Sequence, residues 1–158
     1  MLYNPRSVVN KAENIMMTLE DRNVDIAAFC ETWLVSKSNP TTAKIKQYGY
    51  SIWHDYRSEQ RGGGTALIFK SSMKLSPISI KKFYTFECTA ATLKSSCGTK
   101  IVFLVVYRTG NMCVLLNEEL DELISDLLLR CDCLVLAGDL NIHFDQVGKL
   151  FKCYNHVA

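Results

Sequence analysis

The stretch Cys133-Leu134-Val135-Leu136-Ala137-Gly138-Asp139-Leu140-Asn141 is an apolar run that ends in two polar side chains two residues apart. A run without alternation suits a strand buried on both faces and closed by a turn signal. Successive side chains of a strand alternate, so Asp139 and Asn141 are expected on one face while Leu140 points the other way into the packing. A half-buried carboxylate costs free energy unless something pairs with it, and a metal-bound water is one such partner. The competing reading is turn chemistry, because Asp and Asn after Gly also hydrogen-bond local backbone.

Working outward, Asp25-Ile26-Ala27-Ala28-Phe29-Cys30-Glu31-Thr32-Trp33 is a second short apolar run that ends in an acid. Two such strands predict carboxylates meeting at the carboxyl edge of a sheet, where α/β folds place their sites. Asn4 falls at the end of a short first strand. Val8, Val9, Ala12, Ile15, Met16 and Leu19 recur at helical spacing and predict a helix over residues 7–21, with Ser7 as its cap. Residues 50–56 and 64–70 read as strands joined by Arg61-Gly62-Gly63-Gly64, a hairpin turn because glycine accepts positive φ. A further strand pair near residues 84–94 and 100–107 flanks Ser95-Ser96-Cys97-Gly98-Thr99, and the stripe from Leu115 to Leu128 marks a second helix. Strand-rich halves divided by helices predict a sandwich with helices outside.

Composition agrees with one domain over residues 1–158: 48% of the residues are apolar, enough for a core, and three prolines and eight glycines leave no linker or biased tract. No stretch approaches the roughly 20 apolar residues of a membrane helix, and no signal-type apolar core opens the chain, so an intracellular protein, nuclear or cytoplasmic, is expected. The seven cysteines include no C-x-x-C pair, and His54, His143 and His156 do not flank them with finger-like spacing. Their odd number, and the apolar surroundings of Cys30 and Cys133, predict reduced, buried thiols. A net charge of +2 permits nucleic acid without demanding it. Lys44 and Lys46, Arg57 with Arg61, and Lys81 with Lys82 read first as solvated surface and only second as phosphate contacts.

Five segments then carry a resemblance: Asn4-Pro5-Arg6-Ser7, Glu31-Thr32-Trp33-Leu34, Arg61-Gly62-Gly63-Gly64-Thr65-Ala66-Leu67, Val106-Tyr107-Arg108 and Gly138-Asp139-Leu140-Asn141-Ile142. In order and spacing they resemble the endonuclease/exonuclease/phosphatase superfamily, and most of all the endonuclease domain of LINE-type non-LTR retrotransposons. The resemblance runs from Asn4 to about Asp145. It implies an α+β fold, the DNase I-like four-layer α/β/β/α sandwich, and hydrolysis of a phosphate ester with Mg²⁺ or Mn²⁺. The residue types suit that task, since hard divalent cations take oxygen ligands and keep waters. By resemblance Glu31 is the metal ligand and Asn4 the amide beside metal and phosphate. Asp139 orients or deprotonates the attacking water, Asn141 donates to the phosphoryl oxygens, and Tyr107 lies near the phosphate. DNA is the implied partner; a membrane and an organic cofactor are not expected, and oligomeric state is not legible.

Departures accompany the matches. Tyr107-Arg108-Thr109-Gly110 lacks the proline usual after the family tyrosine, and Leu140 replaces the common phenylalanine, a tolerable apolar swap. Family members carry a further active-site aspartate and a terminal Asp-His pair that have no counterpart before Ala158. The expectation is therefore an incomplete sandwich: a retrotransposon-type DNA endonuclease domain with impaired activity, or alternatively an inactive remnant that binds or supports, or a phosphatase of the same superfamily. The histidines match no family histidine and read as surface or loop residues.

Overall fold

A computed structural model describes residues 1–36, 39–56, 62–108 and 115–141. The Ile26–Cys30 strand (β2) lies parallel to Leu2–Tyr3 (β1) and antiparallel to Thr65–Lys70 (β4), which pairs in turn with Tyr50–Asp55 (β3), giving the sheet order β1-β2-β4-β3. In the second sheet Leu75–Ile78 (β5), Glu87–Lys94 (β6) and Lys100–Tyr107 (β7) are antiparallel, and Cys133–Asp139 (β8) joins β7 in parallel. Both sheets are thus mixed, and each ends in a parallel pair.

Alternation along β2 and β4 sorts their side chains into two cores. Ala27, Phe29, Ala66 and Ile68 face Ile15, Met16 and Leu19 of the helix Ala12–Asp21 (α1) and Ile45 of the helix Pro40–Gln47 (α2). Ala28, Cys30, Leu67 and Phe69 face the other sheet, where they meet Ala91, Val105 and Tyr107. On the far side, Ala90, Val102, Leu104 and Val106 pack under Leu116, Leu123 and Leu127 of the helix Leu115–Leu128 (α3). The result is the four-layer α/β/β/α order expected from the sequence.

Several elements differ from their sequence reading. The first helix begins at Ala12, not near residue 7, because Arg6 and Ser7 take positive φ, outside the helical region, and the bond from the Ser7 N–H to the Glu31 carbonyl holds the chain there. Ser7 is no helix cap; its φ is +99° and its hydroxyl accepts from the Val9 N–H. Helix α2 went unread because it carries no apolar stripe, yet it has a capping Asn39 that accepts from the Thr41 N–H, with Pro40 at its start. Strand β5 went unread because it is short and contains Pro77, which an edge strand tolerates. Residues 84–86 precede β6, since the backbone N–H groups of Tyr84 and Thr85 go to the Glu119 carboxylate. Among the described residues the run that ends at Asp139 is an edge strand and not a strand buried on both faces: Val135 and Leu136 are each 42% exposed. Cys133 is accordingly exposed, whereas Cys30 is fully buried; both are free thiols, as are Cys88, Cys97 and Cys131. Cys113 and Cys153 lie outside the described residues.

Candidate active site

Parallel pairing brings chain ends of like polarity together, and this decides where the candidate residues meet. In the first sheet Tyr3 lies opposite Phe29, so Asn4 follows β1 where Glu31 follows β2. In the second sheet Tyr107 lies opposite Asp139 at the ends of β7 and β8. Both parallel pairs finish at the same edge of the sandwich.

The two sheets are tied together there by polar contacts that cross between them. The hydroxyls of Thr65 and Thr89 share a hydrogen bond of 2.7 Å, and the Gly64 N–H donates to the Glu87 carboxylate at 2.6 Å. The Cys30 thiol reaches the Val106 carbonyl at 3.6 Å. These bonds fix the gap between sheets, and with it the distance from Glu31 to Asp139.

Asn4 is the meeting point. Its amide nitrogen donates to Glu31 Oε1 at 3.0 Å and to Asp139 Oδ2 at 3.1 Å, while its oxygen accepts from the Arg6 N–H at 3.2 Å. Two carboxylates from different sheets therefore share one neutral donor, and among the described residues neither forms an ion pair with lysine or arginine. Hard divalent cations seek such oxygen-rich, under-neutralised spots. Among the described residues no cluster of three or more His, Cys, Asp or Glu side chains stands ready for a metal, so waters and a phosphate would complete any coordination. That partial donor set suits Mg²⁺, which commonly binds through one or two carboxylates and substrate phosphates.

The backbone around Glu31 is held in an uncommon conformation. Glu31 and Trp33 have φ of +54° and +56°, a region that non-glycine residues seldom occupy and that costs of order 1–3 kcal/mol each. What holds them is a strap on each side: Ser7 N–H donates to the Glu31 carbonyl, and Thr32 and Trp33 donate to the carbonyls of Gly64 and Gly63. The glycines do more than turn a hairpin. At Gly64, with φ of +85°, an added Cβ would lie 2.6 Å from Thr32 Oγ1 and 3.1 Å from the Asp55 carbonyl, so only glycine lets the strap lie this close. Arg61 lies outside the described residues.

At the other sheet, Asp139 divides its two oxygens. Oδ1 accepts from the Asn141 N–H at 3.1 Å, closing a local turn, and Oδ2 faces Asn4. Turn chemistry and convergence with Glu31 are both true of this residue. Asn141 has left the strand, with φ of +48°, and its amide nitrogen donates to the Arg108 carbonyl at 2.5 Å. Strand alternation therefore does not place it; the turn does. Leu140 packs toward the α3 side as expected. Tyr107 is 5% exposed and belongs to the core between the sheets.

Cys30 lies beneath the two acids, its thiol pushed up to about 11 by burial, with the nearby charges of Asp139, Glu31 and Glu87 adding to the effect. The sequence reading missed Glu87, which is in reach of Cys30 electrostatically and anchors Gly64. No local signal marks it, since it opens an ordinary strand. Of the basic pairs, Lys44 bonds Glu13 and Lys81 bonds Glu122 at the surface, as a solvated face would; Arg57 and Arg61 are outside the described residues. His54 is on β3, and His143 and His156 are likewise outside.

Comparison with known proteins agrees with this architecture. The family described as "Endonuclease/Exonuclease/phosphatase family" matches residues 2–155. No curated protein matches the chain significantly in sequence. Among solved structures, the human Nocturnin catalytic domain with bound sulfate superimposes with a TM-score of 0.64 at 13% identity, over 85% of this chain and 57% of that one. The 3′ phosphatase NExo from Neisseria, bound to a product DNA hairpin, gives 0.62 at 19% identity over 89% and 56%. An AP endonuclease from Archaeoglobus fulgidus gives 0.59 at 16% identity over 89% and 56%. The chain thus spans little more than half the length of these structures, and the likeness establishes the fold. No helix among the described residues is long and apolar enough to cross a membrane.

Proposed function

Because the chain belongs to the endonuclease/exonuclease/phosphatase family, whose match covers residues 2–155, we propose that it is a phosphodiester hydrolase domain acting on DNA with Mg²⁺ or Mn²⁺, of the kind found in LINE-type retrotransposon endonucleases. The observation that carries this reading is the Asn4 amide held between Glu31 and Asp139. Glu31 and Asn4 are the residues proposed to hold the divalent ion, which when bound would neutralise charge on the phosphate. The role proposed for Asp139 is to orient, and accept a proton from, an attacking water. Asn141, whose amide keeps one N–H beyond the bond to Arg108, and Tyr107, from within the core, are proposed as donors for phosphoryl oxygens, and donors set in advance where negative charge develops are the main electrostatic help to phosphoryl transfer.

A groove of about 550 Å³ along β3 supports a nucleic-acid substrate: it passes Trp53, His54 and Asp55 and is flanked by Lys46 and Lys82. Aromatic faces and cations are the two chemistries that bases and phosphates use.

The test is nicking of supercoiled plasmid beside hydrolysis of p-nitrophenyl phosphate, each with MgCl₂ or MnCl₂ and with EDTA. Metal-dependent nicking that disappears in Glu31→Gln and Asp139→Asn is expected. Activity confined to the monoester would favour a phosphatase, and no activity in either assay at any metal concentration would favour a noncatalytic binding role.

A further inference from the structure

Arg108 follows Tyr107 out of β7 and is 1% exposed, among the largest fully buried side chains described. Its backbone and side chain contact three successive residues of the neighbouring segment. The Arg108 N–H donates to the Asp139 carbonyl at 2.9 Å. Its guanidinium Nη1 donates to the Leu140 carbonyl at 3.2 Å. Its own carbonyl accepts from the Asn141 amide nitrogen at 2.5 Å. The side chain lies on the α3 side of the sheet, in step with Val106 and with Leu140, both of which belong to that core, whereas Tyr107 belongs to the core between the sheets.

A guanidinium is always charged, and burying it is expensive unless its donors are used. Here Nη2 is buried and has no hydrogen-bond partner among the described residues. The charge is therefore an inefficient way to fill space, and a leucine or methionine would pack there at lower cost. What an apolar residue cannot do is hold the Leu140 carbonyl. That carbonyl sits between the residue that faces Asn4 and the residue that has turned into the left-handed region, so its direction sets how the chain leaves the strand.

We infer that Arg108 is a positioning residue: it braces the Asp139-Leu140-Asn141 corner from the side opposite Asn4 and so sets the aim of the Asp139 carboxylate and the Asn141 amide. This rests on the proposed roles of those two residues. Arg108 touches neither substrate nor metal in this scheme; it acts through the carbonyl of Leu140. Asp139 Oδ2 accepts from Asn4, one of the residues proposed to hold the ion, so a loss of aim at Asp139 reaches the metal through Asn4; groups that orient a metal-binding residue commonly change metal affinity about 10- to 100-fold when lost.

The experiment compares the protein with Arg108→Met, which keeps an unbranched stem and removes the donors, and Arg108→Lys, which keeps the charge and one donor nitrogen. Two readouts are taken on ¹⁵N-labelled protein: hydrogen exchange at the backbone and side-chain amides of Asn141, and Mn²⁺ affinity from water-proton relaxation. In Arg108→Met, exchange at Asn141 is expected to speed up about tenfold while protection in β2 and β4 is kept, and Mn²⁺ affinity to fall about tenfold; Arg108→Lys recovers most of both. Unchanged exchange at Asn141 in Arg108→Met overturns the inference, as does an Arg108→Lys variant that melts cooperatively yet is no better than Arg108→Met. A parent protein whose Mn²⁺ binding is absent, or is unaltered by Glu31→Gln, counts against the hydrolase reading alone, and exchange at Asn141 then decides the role of Arg108. Should Arg108→Met not fold, Arg108→Gln, whose donor is too short to reach Leu140, takes its place in the same comparison.

Discussion

Asp139 shows how one side chain serves two ends: a carboxylate has acceptor capacity to spare, so one oxygen closes a turn with Asn141 while the other faces Asn4. The cysteines show the reverse, one residue type in opposite environments. Burial first, then the surrounding carboxylates, hold Cys30 at about 11, and burial holds Cys88 at about 12. Cys97 is exposed at the β6–β7 turn, and hydrogen bonds from the Ser95 hydroxyl and then the Thr99 hydroxyl bring it down to about 7. The thiolate is the nucleophile, so iodoacetamide should label Cys97 at a rate that rises as pH passes through about 7, while Cys30 and Cys88 stay unlabelled until the chain unfolds. Peptide mapping by mass spectrometry checks this; early labelling of Cys30 would contradict its place beneath the site.

At the scale of elements, α3 is attached to its sheet by more than an apolar stripe. Glu119 on that helix is buried and accepts from the Tyr84 and Thr85 N–H groups and from the Thr85 hydroxyl. Burial by itself would raise its pKa, but those hydrogen bonds outweigh it and bring the group below its ordinary 4.5. A carboxylate depressed in the folded state contributes stability above its unfolded value and loses it as pH falls through the folded value. Glu119→Ala is expected to cost about 1–3 kcal/mol at pH 7 by leaving buried donors unpaired. The gap between variant and parent in chemical denaturation should narrow below about pH 4. A gap that is constant with pH would mean that the charge on Glu119 adds nothing to the attachment of the helix.

Over the whole molecule, both sheets end in short or exposed edges on the side where β1 and β8 lie. An apolar cleft of about 230 Å³ opens there between the sheets, lined by Met1, Leu2, Phe103, Val135 and Ala137. Strand β8 has a single strand partner among the described residues, and a parallel edge strand with exposed valine and leucine is a template for further pairing. Self-association that grows with concentration is therefore expected in sedimentation velocity. The double variant Val135→Lys, Leu136→Glu should shift the protein toward monomer; a parent sample that is monomeric at high concentration would show that this face is harmless.

From the residues came a sandwich with helices outside, strands β2, β3, β4, β6, β7 and β8, the last helix, and the acids and amides that frame the candidate site, because hydrophobic period and short motifs are local properties of a chain. The four-layer order came from the family resemblance. What the sequence did not contain was the start of α1, the exposed face of β8, the role of Gly64 and the brace at Arg108. Each of those depends on what lies far along the chain: Glu31 for Ser7, the single strand partner β7 among the described residues for β8, Thr32 for Gly64, Leu140 for Arg108. Side-chain direction and backbone hydrogen bonding are decided by what lies across the gap, and only folding in three dimensions supplies that neighbour.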